Sequence, residues 1–505
     1  MRNITWVGRV IVSVVCGLGI LPQLAMAKST VDDVCSVDSS TDDFRARLSE
    51  LPPAGSALYA AGKLTSHQQL ARDILAELIN IDTTDATGDN TRAAEVVGAR
   101  FSRAGYSDQD VKILAPAPRK GNLVVRFQGS DKRCKPLLLL AHLDVVNADR
   151  AAWDHDPFEL IEEEGYLYGR GVSDDKDEAA IHVANMLRLQ AEGFQPRRTI
   201  IVALTSDEEG GDYNGVQWLL REHPELLKAA IVLNEGGGGV LFEGKRLANE
   251  VQASEKGYQT YEMVFHSPGG HSSMPLRDNA IVAAGKTMVA FDQHRFPVKL
   301  NAVTRNFFAR SAPLFSGQTR WAMESILQDP PHPKAVEILS EMPFYNASLR
   351  TTCVPTMVQG GHAENALPQS VTVTVNCRLL PTESRDNVTQ TLASLVGDDV
   401  ELNAKPNDNI APGISMQTEV LDAIEAVSRS VWPEVPSMPI MGPGGTDSRF
   451  FRSEGIPVYG VNGVFIDVED DRGHARNERI RSRSFYEGLE FMYRLTKALS
   501  EWGDS

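Results

Sequence analysis

An apolar run that ends in a histidine and an aspartate constrains the fold of this chain more than any other feature. Leu137 to Leu140 is followed by Ala-His142-Leu-Asp144. A short apolar run predicts a buried strand, and His142 would stand at its carboxyl end. A metal-binding imidazole keeps one ring nitrogen for the metal, while a nearby carboxylate accepts the N–H of the other. The spacing therefore predicts a strand that delivers a candidate metal ligand, with Asp144 close enough to orient it.

Helix-like and strand-like segments alternate through the first half of the chain. Residues 70–79 and 178–192 carry apolar side chains at helical spacing. Residues 122–127, 198–204 and 230–233 are short apolar runs that predict buried strands. Alternating strands and helices are typical of the α/β class, here with a mixed, mostly parallel sheet.

A different pattern occupies the middle of the chain. Residues 258–266 and 371–377 alternate apolar and polar side chains, as strands with one wet face do. Helical segments at 279–291 and 388–395 are interleaved with them, which suggests a small α+β domain inserted into the α/β domain. Residues 293–350 have poor periodicity and are interpreted as a further insertion.

A chain of 505 residues is too long for one compact core. The patterns predict a signal peptide at residues 1–27 and an N-terminal extension at 28–65. The α/β domain would occupy residues 66–253 and 406–505, and the inserted domain residues 254–405, with a further insertion at 293–350.

The first residues have the features of an export signal. Arg2 and Arg9 form a positively charged start, residues 10–21 are apolar, and Ala25-Met26-Ala27 is a small-x-small cleavage site. The apolar stretch is shorter than the ~20 residues that span a bilayer. We expect a periplasmic or secreted protein that is cleaved after Ala27, and an uncleaved N-terminal anchor is the alternative.

Charge and cysteine content narrow the classes of partner and ligand. The net charge of −17 disfavours nucleic acid, which would repel the chain. Cleavage of the leader would leave Cys35, Cys134, Cys353 and Cys377, an even number that permits disulfides in an oxidising compartment. Cys353 and Cys377 lie in two strand-like segments that could pair as a hairpin, so a bond between them is favoured. The absence of C-x-x-C argues against cysteine metal ligands.

Two acidic segments lie where the pattern changes from strand to another element. The run GRGVSDDK at residues 169–176 precedes a helix, and Asp174 could offer one carboxylate oxygen to each of two cations or could cap the helix. Asp207, Glu208 and Glu209 follow an apolar strand, where adjacent carboxylates repel one another unless cations neutralise them. One glutamate could bind metal while the other takes a proton from water. A solvated acidic loop is the alternative.

Two further candidates complete the set. Glu235 ends the run at residues 230–233, and His474 lies on a late loop in GHARNE. The glycines that follow Glu235 lack the strand, glycine and helix order of a phosphate cradle. Two histidines and several carboxylates, without cysteine, suit a pair of Zn²⁺ ions, or Co²⁺ or Mn²⁺.

On these motifs, over roughly residues 66–500, the chain resembles the zinc-dependent aminoacylase and carboxypeptidase family, which includes succinyl-diaminopimelate desuccinylases and carboxypeptidase S-like enzymes. The resemblance implies that His142, Asp174 and Glu235 hold one metal. It implies that Asp174, Glu209 and His474 hold the other. Asp144 would be the outer partner of His142, and Glu208 the general base.

The resemblance also implies a ferredoxin-like lid as the inserted domain. The loop GGHSSMP at 269–275 resembles one whose histidine, here His271, stabilises the oxyanion. In many relatives it acts across a dimer interface, so the pattern allows a homodimer through the lid. A plain turn residue is the alternative for His271. Asn365 and Arg378 resemble lid residues that contact substrate.

The loop GGTDSR at 444–449 resembles the one that holds a substrate carboxylate, through Gly445, Thr446 and Arg449. A guanidinium suits that role because it can donate two parallel hydrogen bonds. An internal salt bridge between Arg449 and Asp447 is the alternative.

Together these features predict an exported two-zinc enzyme that hydrolyses an amide bond next to a free carboxylate. A carboxypeptidase or dipeptidase acting on small peptides is the first interpretation, and an N-acyl-amino-acid amidohydrolase is the second. A non-catalytic binding protein on the same fold would have lost the base or a ligand, and all are present. A serine hydrolase is disfavoured because no G-x-S-x-G motif is visible.

Overall fold

The structure is a computed structural model, and it describes residues 35, 41–55, 58–397, 399–406 and 413–502. The predicted signal peptide lies outside the described residues, as do parts of the predicted N-terminal extension. Among the described helices, none combines the length and apolarity that crossing a membrane requires.

Helices and strands alternate along most of the described chain. The helices are α1 (Thr41–Ser49), α2 (Ser66–Ile79), α3 (Asn90–Arg103), α4 (Lys176–Ala191), α5 (Gly215–Glu222), α6 (Pro224–Leu227), α7 (Ala280–Gln293), α8 (Ala302–Ser311), α9 (Gly317–Ser325), α10 (Pro333–Ser340), α11 (Pro343–Leu349), α12 (Arg385–Val396), α13 (Thr418–Val431), α14 (Ser448–Ser453) and α15 (Ser482–Ser500). The strands are β1 (Val111–Leu114), β2 (Asn122–Phe127), β3 (Leu137–His142), β4 (Ile161–Glu163), β5 (Tyr166–Tyr168), β6 (Ile200–Thr205), β7 (Ile231–Asn234), β8 (Gly239–Phe242), β9 (Lys245–Glu255), β10 (Gly257–His266), β11 (Gly270–His271), β12 (Thr352–Gly360), β13 (Ala366–Leu367), β14 (Ser370–Leu379), β15 (Glu401–Ala404), β16 (Ser437–Gly442), β17 (Val458–Gly460), β18 (Phe465–Asp467) and β19 (Arg479–Arg481).

The largest sheet is mixed and has parallel strands at its centre. Its order is β1-β2-β6-β3-β7-β17-β9-β8-β18, and β16 pairs with β9. β3 is parallel to both β6 and β7, and every residue of β3 is buried. A strand buried on both faces reads as a continuous apolar run, which is why this segment is visible in the sequence. The predicted α/β class with a mixed sheet is confirmed.

Helices cover both faces of this sheet. Apolar residues of α2, α4, α13 and α15 join those of β3 and β6 in the largest cluster of buried side chains. A smaller cluster on the other face includes residues of α5 and α14. The two layers leave the carboxyl ends of the central strands and their loops as the place for a site.

A second sheet is antiparallel, and its strands lie side by side in the order β12-β14-β10-β15. Its core residues alternate along β10 and β14, and they pack with apolar residues of α7 and α12. The alternating patterns therefore predicted these two strands correctly. The assignment of this region as a separate lid, and the domain boundaries, remain predictions.

The segment at 293–350 contains α8, α9, α10 and α11, which the sequence pattern did not reveal. Their buried side chains, such as Phe308 and Leu339, form a cluster with Met438 and Ile440 of β16. Helices this short gain most of their stability from tertiary packing, so their apolar pattern is weak.

Two disulfides tie distant parts of the chain together. Cys353 and Cys377 are bonded and are direct partners in the antiparallel register of β12 and β14, which confirms the predicted pair. Cys35 is bonded to Cys134, a residue shortly before β3. The first bond closes a short hairpin, and the second attaches the start of the described chain to the main sheet.

Replacing Cys35 and Cys134 together by serine should lower the free energy of unfolding by about 4–5 kcal/mol, because the bond closes a long loop in the unfolded chain. The bonded residues are 99 positions apart, against 24 for Cys353 and Cys377. The matched Cys353→Ser, Cys377→Ser variant should lose only about 3 kcal/mol. Urea denaturation measures both, and a larger loss for the shorter loop would contradict the expectation.

Candidate metal centre

The central strands bring candidate ligands to one edge of the main sheet. β3 ends at His142, β6 ends shortly before Glu208 and Glu209, and β7 ends immediately before Glu235. Because these strands are parallel, their carboxyl ends lie at the same edge. Ligands of open α/β sheets bind in this region.

Asp174 lies between two histidines. Its Oδ1 is 2.9 Å from His142 Nε2, and its Oδ2 is 3.0 Å from His474 Nε2. Ligand atoms of His142, Asp174 and Glu235 lie within 4.8 Å of one another, and so do those of Asp174, Glu209 and His474. The N-cap position of α4 is occupied by Asp175, so Asp174 does not cap the helix. The structure thus brings the five residues together as two groups that share Asp174.

The ring of His142 is oriented by the main chain of Asp144. His142 Nδ1 donates to the carbonyl oxygen of Asp144 at 2.9 Å, whereas the carboxylate oxygen is 3.7 Å away. A carbonyl only accepts, so Nδ1 carries a proton and Nε2 is the ring nitrogen that could bind a cation once its own proton is displaced. The carboxylate of Asp144 instead accepts the backbone N–H groups of Glu208 and Glu209. This corrects the expected hydrogen bond and gives Asp144 a second task, which is to hold the acidic loop.

The crowded carboxylates strongly perturb one another. Burial and the charge of Glu208 raise the pKa of Glu235 well above its usual value, and burial and Asp174 raise the pKa of Glu209 to about 7. The hydrogen bond to Asp174 raises the pKa of His474 to about 9. Although burial opposes it, hydrogen bonding from His142 and His474 lowers the pKa of Asp174. Protons hold this cluster together, and divalent cations would displace them.

The donor set fits divalent metal ions. Each group offers one imidazole nitrogen and two carboxylates, and Asp174 can give one oxygen to each group. Nitrogen and oxygen donors without thiolate suit Zn²⁺, Co²⁺ or Mn²⁺. The family implication of two metals therefore agrees with the geometry of the ligands.

Glu208 belongs to neither group and lies next to Arg449. Its Oε1 is 3.9 Å from Arg449 Nη1. Burial and the charge of Asp447 raise the pKa of Glu208 well above its usual value. Arg449 Nη2 is also 3.9 Å from Asp447 Oδ1, so the internal ion pair that the sequence allowed is present but long. Glu208 therefore lies next to the candidate ligand Glu209 on one side and close to a guanidinium on the other.

The loop before α14 is held in place by the buried carboxylate of Glu255, at the end of β9. Thr446 donates to the buried carboxylate of Glu255 through both its backbone N–H and its hydroxyl, at 3.0 and 2.9 Å. Arg452 Nη1 lies 3.3 Å from the other oxygen of Glu255. These contacts fix Gly445 and Thr446 relative to the end of β9, and so fix the position of Arg449.

Lys120 neutralises the third carboxylate of the acidic loop. Its Nζ donates to Asp207 Oδ1 at 2.6 Å, and the side chain of Asp207 is fully buried. Asp207 has φ 59°, the left-handed region that few non-glycine residues occupy. The turn sends Glu208 and Glu209 back toward the cluster. Sequence reasoning missed Lys120, because nothing in its neighbourhood marks a residue that pairs 87 positions away.

Glu478 connects the loop of Asp174 to the loop of His474. Its carboxylate accepts from Arg170 Nη1 at 2.5 Å, from the backbone N–H of Gly171, and from the N–H and hydroxyl of Ser173. It is completely buried. Sequence reasoning noted Glu478 only as a neighbour of His474, although an acid four positions after a candidate ligand was an available signal.

Replacing Glu478 by glutamine should weaken metal binding by about 10- to 100-fold, as changes of outer partners do at metal sites. The buried charge of Arg170 would lose its partner, which also destabilises the fold. Competition with a chromogenic chelator measures the affinity. Glu469→Gln, an exposed residue of the same region, is the matched control. Equal affinities in the two variants would contradict the role.

The three candidate residues of the second sheet region lie outside both groups of ligands. His271 is exposed on β11, which pairs with β13 close to Asn365. His271 Nδ1 accepts from Ser273, so its neutral ring carries the proton on Nε2. Arg378 lies on β14 with its guanidinium 5.4 Å from the ring of Tyr258. Within one copy of the chain, these three side chains do not join either group of candidate ligand atoms.

A cavity of about 720 Å³ opens beside the two groups, and Asp174, Glu235 and His474 line it. Another part of the cavity wall is apolar. It is formed by Val240 of β8, Ile466 of β18 and Phe344 of α11. Because Phe344 belongs to the segment at 293–350, that segment contributes directly to the wall of the cavity.

Comparison with known proteins gives the following likenesses. A family model described as peptidase family M20/M25/M40 matches residues 138–498. The N-fatty-acyl-amino acid synthase/hydrolase PM20D1 of Xenopus tropicalis is 30% identical over 386 residues, which cover 73% of this chain and 73% of that protein. The probable carboxypeptidase S-like 2 of Dictyostelium discoideum is 27% identical over 394 residues, 74% of each protein. The M20 family metallo-carboxypeptidase Sso-CP2 from Sulfolobus solfataricus superposes with a TM-score of 0.65 at 18% identity, covering 85% of this chain and 99% of that chain.

Proposed function

This chain belongs to peptidase family M20/M25/M40, and from that membership we propose that it is an exported two-zinc hydrolase of amide bonds that lie next to a free carboxylate. The observation that carries the proposal is the position of Glu208. It stands between a candidate metal ligand, Glu209, and the guanidinium of Arg449, 3.9 Å away. A base, a metal pair and a carboxylate receptor are the parts that such a hydrolase requires.

Each residue of the site has a separate task in this proposal. A pair of divalent cations held by the five ligands would supply a Lewis acid. Glu208 takes a proton from the attacking water and gives it to the leaving amine, as a single general acid–base group can. Its elevated pKa suits that exchange, because a group must hold the proton between the two transfers. Arg449 binds the substrate carboxylate through two parallel hydrogen bonds.

A carboxypeptidase or dipeptidase is the first choice, and the relative from Dictyostelium discoideum supports it by its name. The apolar wall formed by Val240, Ile466 and Phe344 favours a second candidate, an N-acyl-amino-acid amidohydrolase, since an acyl chain would bury apolar surface there. The relative from Xenopus tropicalis, named for N-fatty-acyl-amino acids, supports this alternative.

Hydrolysis assays of the zinc-loaded protein with short peptides, N-acetyl amino acids and long-chain N-acyl amino acids distinguish the two candidate functions. If the acylated substrates are cleaved and the peptides are not, the first choice is wrong.

Amidation of the substrate carboxylate is expected to lower kcat/KM by about 10- to 100-fold, since hydrogen bonds to a charged group are worth about 1.5–3 kcal/mol. The comparison uses one substrate as its free acid and as its primary amide. In Arg449→Met the two forms should be cleaved equally slowly. An unchanged preference for the acid in Arg449→Met would assign the carboxylate to another residue.

Two further parts of the proposal concern assembly and location. We propose that a second copy of the chain pairs through the second sheet region and brings His271, with its Nε2–H, to the oxyanion. Light scattering in solution and complementation between His271→Ala and Glu208→Gln subunits test this pairing. We propose export because of the leader pattern at residues 1–27. Sequencing the amino terminus of protein from the cell envelope should give Lys28 as the first residue.

A further inference from the structure

A second cavity, of about 420 Å³, lies where the second sheet and α7 and α12 meet α11. Arg295, Arg350 and Asn346 contribute to its lining, together with the side chains of several apolar residues. It shares no lining residue with the cavity beside the metal groups. An occupant would therefore make its contacts outside the proposed active site.

Arg350 is a buried cation that has no acidic partner among the described residues. Arg350 is 6% exposed, and its Nη2 donates a hydrogen bond to Ser340 Oγ at 2.9 Å. Its Nε has no hydrogen-bond partner, and no carboxylate of the described residues forms an ion pair with it. An uncompensated buried charge is costly, and an anion in the adjoining cavity would offset that cost.

Two more basic residues lie close to Arg350. Arg295 lines the cavity, and within the described part of the chain it donates to the backbone carbonyls of Asp292 and His294 and to no carboxylate. Lys256 is 1% exposed, and its Nζ donates to the carbonyls of Ala347 and Arg350 and to Thr352 Oγ1, without a carboxylate among the described residues.

These cations disfavour one another. Burial and then Arg295 lower the pKa of Arg350, and burial followed by Arg378 and Arg350 lowers the pKa of Lys256 to about 7. Asp292 also lines the cavity, but it is exposed and pairs with none of these cations among the described residues. The balance of charge at the cavity is therefore positive.

The rest of the lining is apolar. Phe291 and Phe296 are almost fully buried, and Leu392 and Leu395 extend the same wall from α12. An inorganic anion would leave this wall without a partner, whereas a hydrocarbon body would bury apolar surface against it. We propose that the cavity is a binding site for a small organic carboxylate with an apolar body, whose carboxylate pairs with Arg350 and Arg295. The site is separate from the metal centre and does not rest on the proposed function.

The test uses 6-bromohexanoate as the probe on the zinc-loaded protein. Bromine anomalous scattering from a crystal soaked with the probe should place the bromine near Phe291 and Leu392, with the carboxylate at Arg350. Bromine at the metal centre alone, or at no site, overturns the proposal.

Calorimetry on variants gives a second readout. Arg295→Gln should lower the affinity for 6-bromohexanoate about tenfold, since about 1.4 kcal/mol corresponds to a factor of ten. Arg305→Gln, an exposed residue of α8 outside the cavity, is the matched control and should leave it unchanged. Arg295 is itself exposed, so its replacement avoids the risk of misfolding that Arg350 carries. Equal affinity in both variants, or inorganic phosphate binding as tightly as the probe, would contradict the proposal.

Discussion

Glu208→Gln is expected to lower kcat by about 10²- to 10⁴-fold, the usual contribution of a general acid–base group, while metal content stays at the wild-type level. The amide keeps the size of the side chain but cannot take a proton from water. Glu208 is outside both groups of ligand atoms, so its loss should not release a cation. Steady-state kinetics with elemental analysis of the same preparation give both quantities.

The neighbouring Glu209 provides the contrast. It lies 2.7 Å from His474 Nε2 and belongs to the second group of ligand atoms. Glu209→Gln should therefore lose metal as well as activity. If Glu208→Gln lost metal and Glu209→Gln kept it, the roles of the two residues would have to be exchanged.

Asp174→Asn is expected to weaken metal binding in both groups at once, and by more than about 100-fold, since even outer partners of metal ligands contribute 10- to 100-fold. Asp174 is the one residue that the two groups share. An amide offers a single neutral oxygen, so it cannot serve two cations as a carboxylate can. The loss of the bridging charge should also leave His142 and His474 without their common partner.

Elemental analysis and chelator competition measure this effect. Asp212→Asn is the matched control, because Asp212 is exposed on the acidic loop and belongs to neither group. Loss of only one cation from Asp174→Asn would show that the two groups are held independently. Retention of both would contradict the bridge.

The strand ends of this fold could be predicted from the sequence because burial leaves a direct trace. β3, β6 and β7 lie in the centre of the sheet and are buried along their whole length, so each reads as an apolar run. The polar residues that follow each run then become visible as candidates. The ligands converge because parallel strands end at one edge, which is a property of the fold and not of local sequence.

The supporting residues could not be predicted in the same way. Lys120 and Asp207 pair across 87 positions, and Glu478 and Arg170 across 308. No periodicity records such contacts. Asp144 orients His142 through its backbone carbonyl and holds the acidic loop through its carboxylate. This division depends on backbone geometry that the spacing of residues in the sequence does not reveal.

The helices at 293–350 were missed for a thermodynamic reason. α10 and α11 have 8 and 7 residues, and each begins with a proline. Helices of that length are marginal alone, and they form because Leu339 of α10 and Leu349 of α11 join the buried cluster that includes β16. The prolines at their first position, and the Asn301–Thr304 capping box of α8, were the available signals.

Diffraction at the zinc absorption edge from a zinc-loaded crystal tests the central claim most directly. The arrangement predicts two anomalous peaks on either side of the Asp174 carboxylate, one contacting His142 and Glu235 and the other Glu209 and His474. An absence of peaks at Asp174, or zinc bound only elsewhere in the chain, would contradict it.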